Sequence, residues 1–338
     1  MGASPEISPA RSVPGTQPLI RRGDYLAAGG SPARLRTQLR RGDLVSVATG
    51  VYVDGQTLAP DDPWAEFIAR TRAFVLASPD NAIAAGWSAV GLLGLPHPPK
   101  PPDLPEVIRQ SSRGSGSNRT PRGHTRFAAV PDRWVTTVHG TRCLHPAFVA
   151  VELARSIGPR WSLILADAAA LRCGSTAPLR SAMADMIKWP RIRRAAWAVD
   201  NADLDAESAL ESAGRAVMLD AHPVAPQSNV WLGVDYPMIR VDHWWADGRI
   251  AAEGDGIGKY GSGQEAGKRL LEEKDREFLF HEWSVRWLRY DWRRVFNNPE
   301  RLAYQLQRLH DEPAPTPHPG LRTWSNQEGR LLRGLPTR

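Results

Sequence analysis

Between Met238 and Gly256 the chain reads MIRVDHWWADGRIAAEGDG, and besides Asp247 in its turn three carboxylates, Asp242, Glu253 and Asp255, fall within it. Val, Ile and Trp form two β-type runs flanking Asp247-Gly248, a dipeptide that favours a tight hairpin turn. With a two-residue loop, Ala246 faces Arg249, Asp242 faces Glu253, and Asp255 faces Arg240 on the same side of the ribbon. Opposed Cβ atoms lie about 5 Å apart, so two ionised carboxylates there repel unless one takes a proton or a cation stands between them. Oxygen donors without nearby Cys or paired His favour Mg2+ or Mn2+ over zinc. Such an ion polarises a phosphoryl oxygen and lowers the pKa of an attacking water, which is the chemistry of phosphodiester hydrolysis. The alternative is a solvent-facing hairpin whose acids pair with Arg240 and Arg249. A three-residue loop would shift the register and separate Asp242 from Glu253.

The elements around this hairpin decide what else reaches it. A helix over Asp205–Asp220 puts Glu207, Glu211 and Arg215 on one face, with Leu210, Ala213 and Val217 as the buried stripe. Glu211 is expected to reach the hairpin and Glu207 to stay solvated. Gly256–Gly263 is a glycine-rich loop carrying Lys259 and Tyr260; no Ser or Thr follows the lysine, so it fails the phosphate-loop pattern and no nucleotide cofactor is expected. An amphipathic helix over Glu265–His281 carries Lys274 and Arg276, a strand over Val285–Tyr290 follows, and Asn298-Pro299 opens another helix. The order is α, β, β, β, α, β, α.

Nearer the N-terminus, a short helix over Asp24–Ala28 stops at Gly29-Gly30, and Ser31-Pro32 supplies an N-cap and a first-turn proline. The helix from Pro32 to Arg41 places Arg34, Arg36, Gln38, Arg40 and Arg41 around a narrow seam of Leu35 and Leu39, as a DNA-recognition helix would. Strands over Leu44–Ala48 and Gly50–Val53 form its wing. A helix capped by Asp62-Pro63 runs to about Leu76, and a small-residue helix over Ser88–Leu95 ends before a proline run. Residues 111–124 read as a mobile loop dividing two strands, and 134–144 as a hairpin around His139-Gly140. Helices are expected over Pro146–Ile157, Trp161–Cys173 and Ala177–Met186.

The fold class is therefore α+β in two parts: a leader at 1–18, a winged helix-turn-helix region at 19–95, a middle α/β region at 96–200, a mixed-sheet α/β domain at 201–309 and a disordered basic tail at 310–338. Charge divides the same way. Residues 1–200 carry 25 Lys and Arg against 15 Asp and Glu, and the remainder 18 against 21. The positive part suits a polyanion, because neutralised phosphates release counterions; basic surface composition alone is the plainer explanation. Two cysteines, Cys143 and Cys173, form no metal or disulfide framework. No apolar run approaches the roughly 20 residues needed to span a bilayer. A cytoplasmic protein without a membrane partner is expected.

Several segments together resemble an actinobacterial family that joins an AbiEi-type antitoxin winged-helix region to a nuclease domain related to very short patch repair endonucleases. They are GDLVSVATGVYV at 42–53, HPAFVAVELAR at 145–155, ESALES at 207–212, EGDGIGKYG at 253–261 and EKDRE at 273–277. The resemblance implies a PD-(D/E)XK nuclease fold with Glu211 as the helix acid, Asp242 as the first strand acid and Glu253 as the second. The lysine usual two positions after the second acid is Asp255 here, so transition-state charge needs another cation, for which Lys259 and Lys274 are candidates. The family's earlier pseudo-motif aspartate is Glu152, read as structural. Tryptophans 244, 245, 283, 287 and 292 are mostly core, one of them a candidate for base stacking.

Two functions compete on these grounds. The first is a Mg2+- or Mn2+-dependent DNA endonuclease, with Asp242, Glu253 and Asp255 holding the ion. The second is a non-catalytic repressor or antitoxin of a toxin-antitoxin or phage-defence system, in which the nuclease fold is a scaffold, Arg34, Arg36 and Arg40 contact DNA, and a cognate toxin is the further partner. A small-molecule enzyme is disfavoured because no nucleophile elbow, cofactor fingerprint or His-metal spacing occurs.

Overall fold

The computed structural model describes residues 15–58, 62–78, 82–111, 116–256, 264–316 and 318–336, without the side chains of residues 57 and 264–272. The chain is a mixed α and β protein that divides into two compact units, Met1–Ile157 with Arg172–Asp200, and Gly158–Leu171 with Asn201–Arg338. The sequence division at 95/96 has no counterpart, because helices and strands on both sides of it share one unit. Residues 158–171, expected in the middle region, belong with the second unit.

The first unit opens with β1 (Ile20–Arg21), α1 (Arg22–Ala27), α2 (Pro32–Arg41), β2 (Leu44–Ala48) and β3 (Val51–Asp54), the strands forming an antiparallel sheet in the order β1-β3-β2. Ser31 Oγ accepts the Arg34 amide at 3.2 Å, and Gly42 ends α2 with φ of 78°. Leu35 packs with Leu44 and Tyr52, which seats α2 on the hairpin and turns Arg34, Arg36, Arg40 and Arg41 outward. Gln38 is diverted. It accepts the Tyr25 hydroxyl at 2.7 Å and so joins α2 to α1.

Next come α3 (Pro63–Ala77), β4 (Ala82–Ala84), α4 (Gly86–Leu93), β5 (Glu106–Gln110), β6 (Gly116–Thr120), β7 (Gly123–Ala128), β8 (Val135–Val138), β9 (Thr141–Leu144) and α5 (Pro146–Ala154). Their six-stranded sheet has the order β6-β7-β5-β4-β9-β8. The β8–β9 turn is His139-Gly140, both at positive φ. Where a mobile loop was expected, β6 pairs antiparallel with β7. Its residues are nearly all exposed, so an edge strand here leaves no hydrophobic alternation to read. Residues 112–115 of that loop lie outside the described residues. Glu152 accepts from Arg126 at 2.6 Å and from the Gly86 amide at 3.1 Å, bonds that lie wholly within this unit.

After α6 (Pro159–Cys173), α7 (Ala177–Asp185) and α8 (Arg193–Asp200), the second unit continues with α9 (Ala209–Ala221), β10 (Gln227–Gly233), β11 (Ile239–Trp245), β12 (Ile250–Gly254), α10 (Gln264–Glu282), β13 (Arg286–Tyr290), α11 (Trp292–Asn297), α12 (Pro299–Asp311), β14 (Arg322–Trp324) and α13 (Asn326–Leu332). The sheet order is β13-β12-β11-β10-β14, with β12 and β13 parallel and the other neighbours antiparallel. Helix α9 with α11 and α12 covers one cluster, around Leu210, Val217, Trp245, Ile250 and Tyr290. Phe280 and Trp283, at the end of α10, close another with Val241, Trp244 and Ala251.

The tail expected to be disordered contains β14 and α13. Ser325 and Glu328 form a reciprocal capping box, and Gly329 lets α13 lie against the Trp231 indole, which a Cβ at that position would meet at 2.2 Å. Among the described residues no helix is long and apolar enough to cross a membrane.

Candidate acidic site

The β11–β12 pairs His243↔Ala252, Trp244↔Ala251 and Trp245↔Ile250 give the register expected from the sequence, although the turn differs. Four residues, 246–249, connect the strands; the Arg249 amide donates to the Ala246 carbonyl at 3.2 Å, and Arg249 takes φ of 51°. The register survives because the added pair lengthens the loop symmetrically. The pairs end at His243↔Ala252, and just beyond them Asp242 and Glu253 both line one pocket of about 500 Å³ with Trp231, Arg240, Asp275 and Arg276. Asp242 Oδ2 accepts the Gly254 amide at 2.8 Å.

Strand β11 changes phase at this point. Val241 and Trp244 pack into the same cluster, which strict alternation forbids, so the strand is irregular between them. Opposite Asp242, between the pairs Val230↔Val241 and Ser228↔His243, stands Asn229 with φ of 52°. Asn tolerates this left-handed conformation better than most residues. Its Nδ2 donates to Glu211 Oε2 at 2.8 Å, while its buried Oδ1 has no hydrogen-bond partner. Glu211 follows the Ser208 cap, whose Oγ accepts the Glu211 amide at 3.1 Å, and its Oε2 also accepts the Glu207 amide at 2.9 Å. The third acid is thereby fixed by α9 and by the β10 irregularity together.

Tyr290 is fully buried and feels the charge of four carboxylates. Burial foremost, and then the negative charges of Asp242, Glu211, Glu253 and Asp255, hold its phenol protonated far above the usual range. Its hydroxyl stands 2.7 Å from His243 Nε2, and burial, aided by the Arg215 charge, pushes the His243 imidazole down to about 3. A neutral hydrogen-bonding pair therefore underlies the acidic rim.

Asp255 does not join Asp242 and Glu253 in the expected trio. Its amide donates to the Tyr290 carbonyl, and its carboxylate accepts Arg289 Nε at 2.8 Å and Nη2 at 2.6 Å, because the parallel pairing of β12 with β13 draws it toward that guanidinium. Arg289 also pairs with Glu273, and Arg276 pairs with Glu253 while donating to the Arg240 carbonyl. Lys274 is exposed and does not line the pocket, and Lys259 lies outside the described residues. Among the described residues, the cation seen paired with Glu253 is Arg276, which the sequence placed on this helix without assigning it to the site.

Glu207 is not a solvated residue either: Arg240 at 3.0 Å, Arg330 at 2.8 Å and Asn326 Nδ2 at 3.1 Å surround it. Arg215 leaves the supposed Glu-Arg face to form a buried two-point pair with Asp167, both bonds 2.8 Å. Arg249 donates to the Ser284 and Trp283 carbonyls. Tryptophans 244, 245, 283, 287 and 292 all pack on the two clusters.

Among the described residues no three His, Cys, Asp or Glu side chains converge closely enough to hold a metal ion between them. Mg2+ commonly uses only one or two carboxylates and keeps several waters. Asp242 and Glu253 fit that oxygen donor set.

No protein-family model matches the chain. Two uncharacterized proteins of Mycobacterium tuberculosis are similar to it, MT2308 of strain CDC 1551 and Rv2248 of strain H37Rv, each 29% identical over 287 residues. The match covers 82% of this chain and 96% of each relative, more than either compact unit alone supplies.

Proposed function

We propose that the protein is a divalent-cation-dependent DNA endonuclease of the PD-(D/E)XK type, brought to duplex DNA by an N-terminal winged helix. The observation that carries this reading is the meeting of Asp242 and Glu253 in one pocket of an α-β-β-β-α-β core, with Glu211 on α9 tied to β10 through Asn229. Asp242 and Glu253 hold Mg2+ or Mn2+, and Glu211 acts from α9. The bound ion supplies a polarised phosphoryl oxygen and a more acidic attacking water. Tyr290 and His243 stay neutral beneath the acids and keep β11 and β13 at a fixed spacing. The outward guanidinium groups of Arg34, Arg36, Arg40 and Arg41 contact the DNA backbone or base edges. A DNA target suits a cytoplasmic location.

A second reading is favoured by the pairing of Arg276 with Glu253 and Arg289 with Asp255, which balances the acids from within the chain. It is a non-catalytic DNA-binding repressor or antitoxin with a toxin partner. The test is cleavage of supercoiled, linear and single-stranded DNA with Mg2+ or Mn2+. The nuclease reading expects nicking that Asp242→Asn abolishes while DNA binding is kept. No cleavage of any of the three by wild type would overturn it in favour of the second.

A further inference from the structure

The pocket contains a cation with one donor left over. Arg276 projects from α10 with one Nη2 serving both Glu253 and the Arg240 carbonyl, while its Nε is buried without a hydrogen-bond partner. The side chain is one-third exposed, whereas that of Glu253 is 11% exposed, so the guanidinium lies on the outer side of the pair. Among the described residues the pocket is also lined by the cation Arg240, which is taken by Glu207. The position two residues after Glu253, where a cation would serve the reaction, holds Asp255.

Resting on the reading of Asp242 and Glu253 as cation ligands, we propose that Arg276 is the phosphodiester-binding residue of this site and that it exchanges partners. Without ligand it neutralises Glu253; when a divalent cation takes that carboxylate, the guanidinium passes to a non-bridging phosphate oxygen. Charge balances at each stage. The cation replaces Arg276 at Glu253, and the phosphate replaces Glu253 at Arg276. Guanidinium suits both partners because its planar donors match a carboxylate and a phosphate equally well. Linkage follows: DNA that draws Arg276 away raises cation affinity, and the cation raises DNA affinity by the same factor.

The experiment is calorimetric titration of Mn2+ into the full chain, alone and with a short mixed-sequence duplex, after subtracting the titration of duplex alone. Wild type should bind Mn2+ weakly by itself and about tenfold more tightly with duplex, since a charge-assisted hydrogen bond is exchanged. Arg276→Gln should bind Mn2+ about tenfold more tightly than wild type without DNA and gain nothing from duplex. Arg276→Lys, which keeps the charge and loses the fork, should fall between them. With Ca2+ present, Arg276→Gln should also lower the salt slope of duplex binding by about one. Equal Mn2+ affinity in all three proteins, with an equal gain from duplex, would overturn the exchange while leaving the cation site standing. No Mn2+ binding by any of them, with or without duplex, would overturn both.

Discussion

Gly214 lies in the middle of α9, where helix propensity alone says that alanine should stabilise the protein by about 1 kcal/mol. The structure reverses that sign. A Cβ at Gly214 would stand 2.3 Å from Tyr290 Cε2, 2.5 Å from Cζ and 2.7 Å from the hydroxyl oxygen. Ordinary carbon contacts begin near 3.5 Å, so helix or ring must retreat by about 1 Å. The ring has little room to retreat. Tyr290 is 1% exposed, is packed among Leu210, Leu288 and Val295, and has its hydroxyl against His243. Overpacking of this kind costs about 1–3 kcal/mol, and a rigid, fully buried ring places the cost at the upper end. Gly214→Ala should therefore lose about 2 kcal/mol net, read as a lower urea midpoint at unchanged slope. In a Tyr290→Ala background the same substitution should become neutral or stabilising, because the clash is gone and the propensity gain remains. Since α9 also carries Glu211, the displacement would shift the helix acid relative to Asp242. A Gly214→Ala protein at least as stable as wild type would refute the close seating of α9 on Tyr290.

Other substitutions test other parts of the account. Gly329→Ala should detach α13 from Trp231 and speed hydrogen exchange across residues 322–332 without changing exchange in α9; unchanged exchange would contradict the packing of the C-terminal segment. Burial raises the Asp167 carboxyl to about 6 against the opposing pull of Arg215, whereas in the unfolded chain an aspartate titrates near 3.9. The native state then binds more protons between about pH 4 and 6, so the stability difference between wild type and Asp167→Asn should shrink as pH rises through that window. A difference that grows instead would refute the assignment. Arg36→Ala should weaken duplex binding and lower its salt slope by about one, and an unchanged slope would remove Arg36 from the interface.

The hairpin register was legible because Asp247-Gly248 and the flanking apolar runs constrain it twice, and a four-residue loop keeps the pairing that a two-residue loop implies. The helices capped at Ser31 and Asp62 were legible for a similar reason: a side-chain acceptor followed by proline is a local signal. What sequence did not convey depends on partners distant along the chain. Asp255 shares its spacing with Glu253, yet its fate is decided by Arg289 on β13, and Glu207 is held by Arg330, more than a hundred residues away. Asn229 left one faint trace, a residue tolerant of left-handed backbone within a β-type run. The resemblance points to lysine as the site cation, whereas the pair seen at Glu253 is made by Arg276 of α10. The Pro-rich composition of the C-terminal segment masks its order, although Ser325 and Glu328 stand at capping-box spacing.

The central claim is that Asp242 and Glu253 together hold a divalent cation. Its most direct test is calorimetric titration of Mn2+ into wild type and Asp242→Asn, both with the same short duplex. Binding to wild type that weakens at least about tenfold in the variant is the predicted result. Equal binding by the two proteins, or none by wild type, would contradict it.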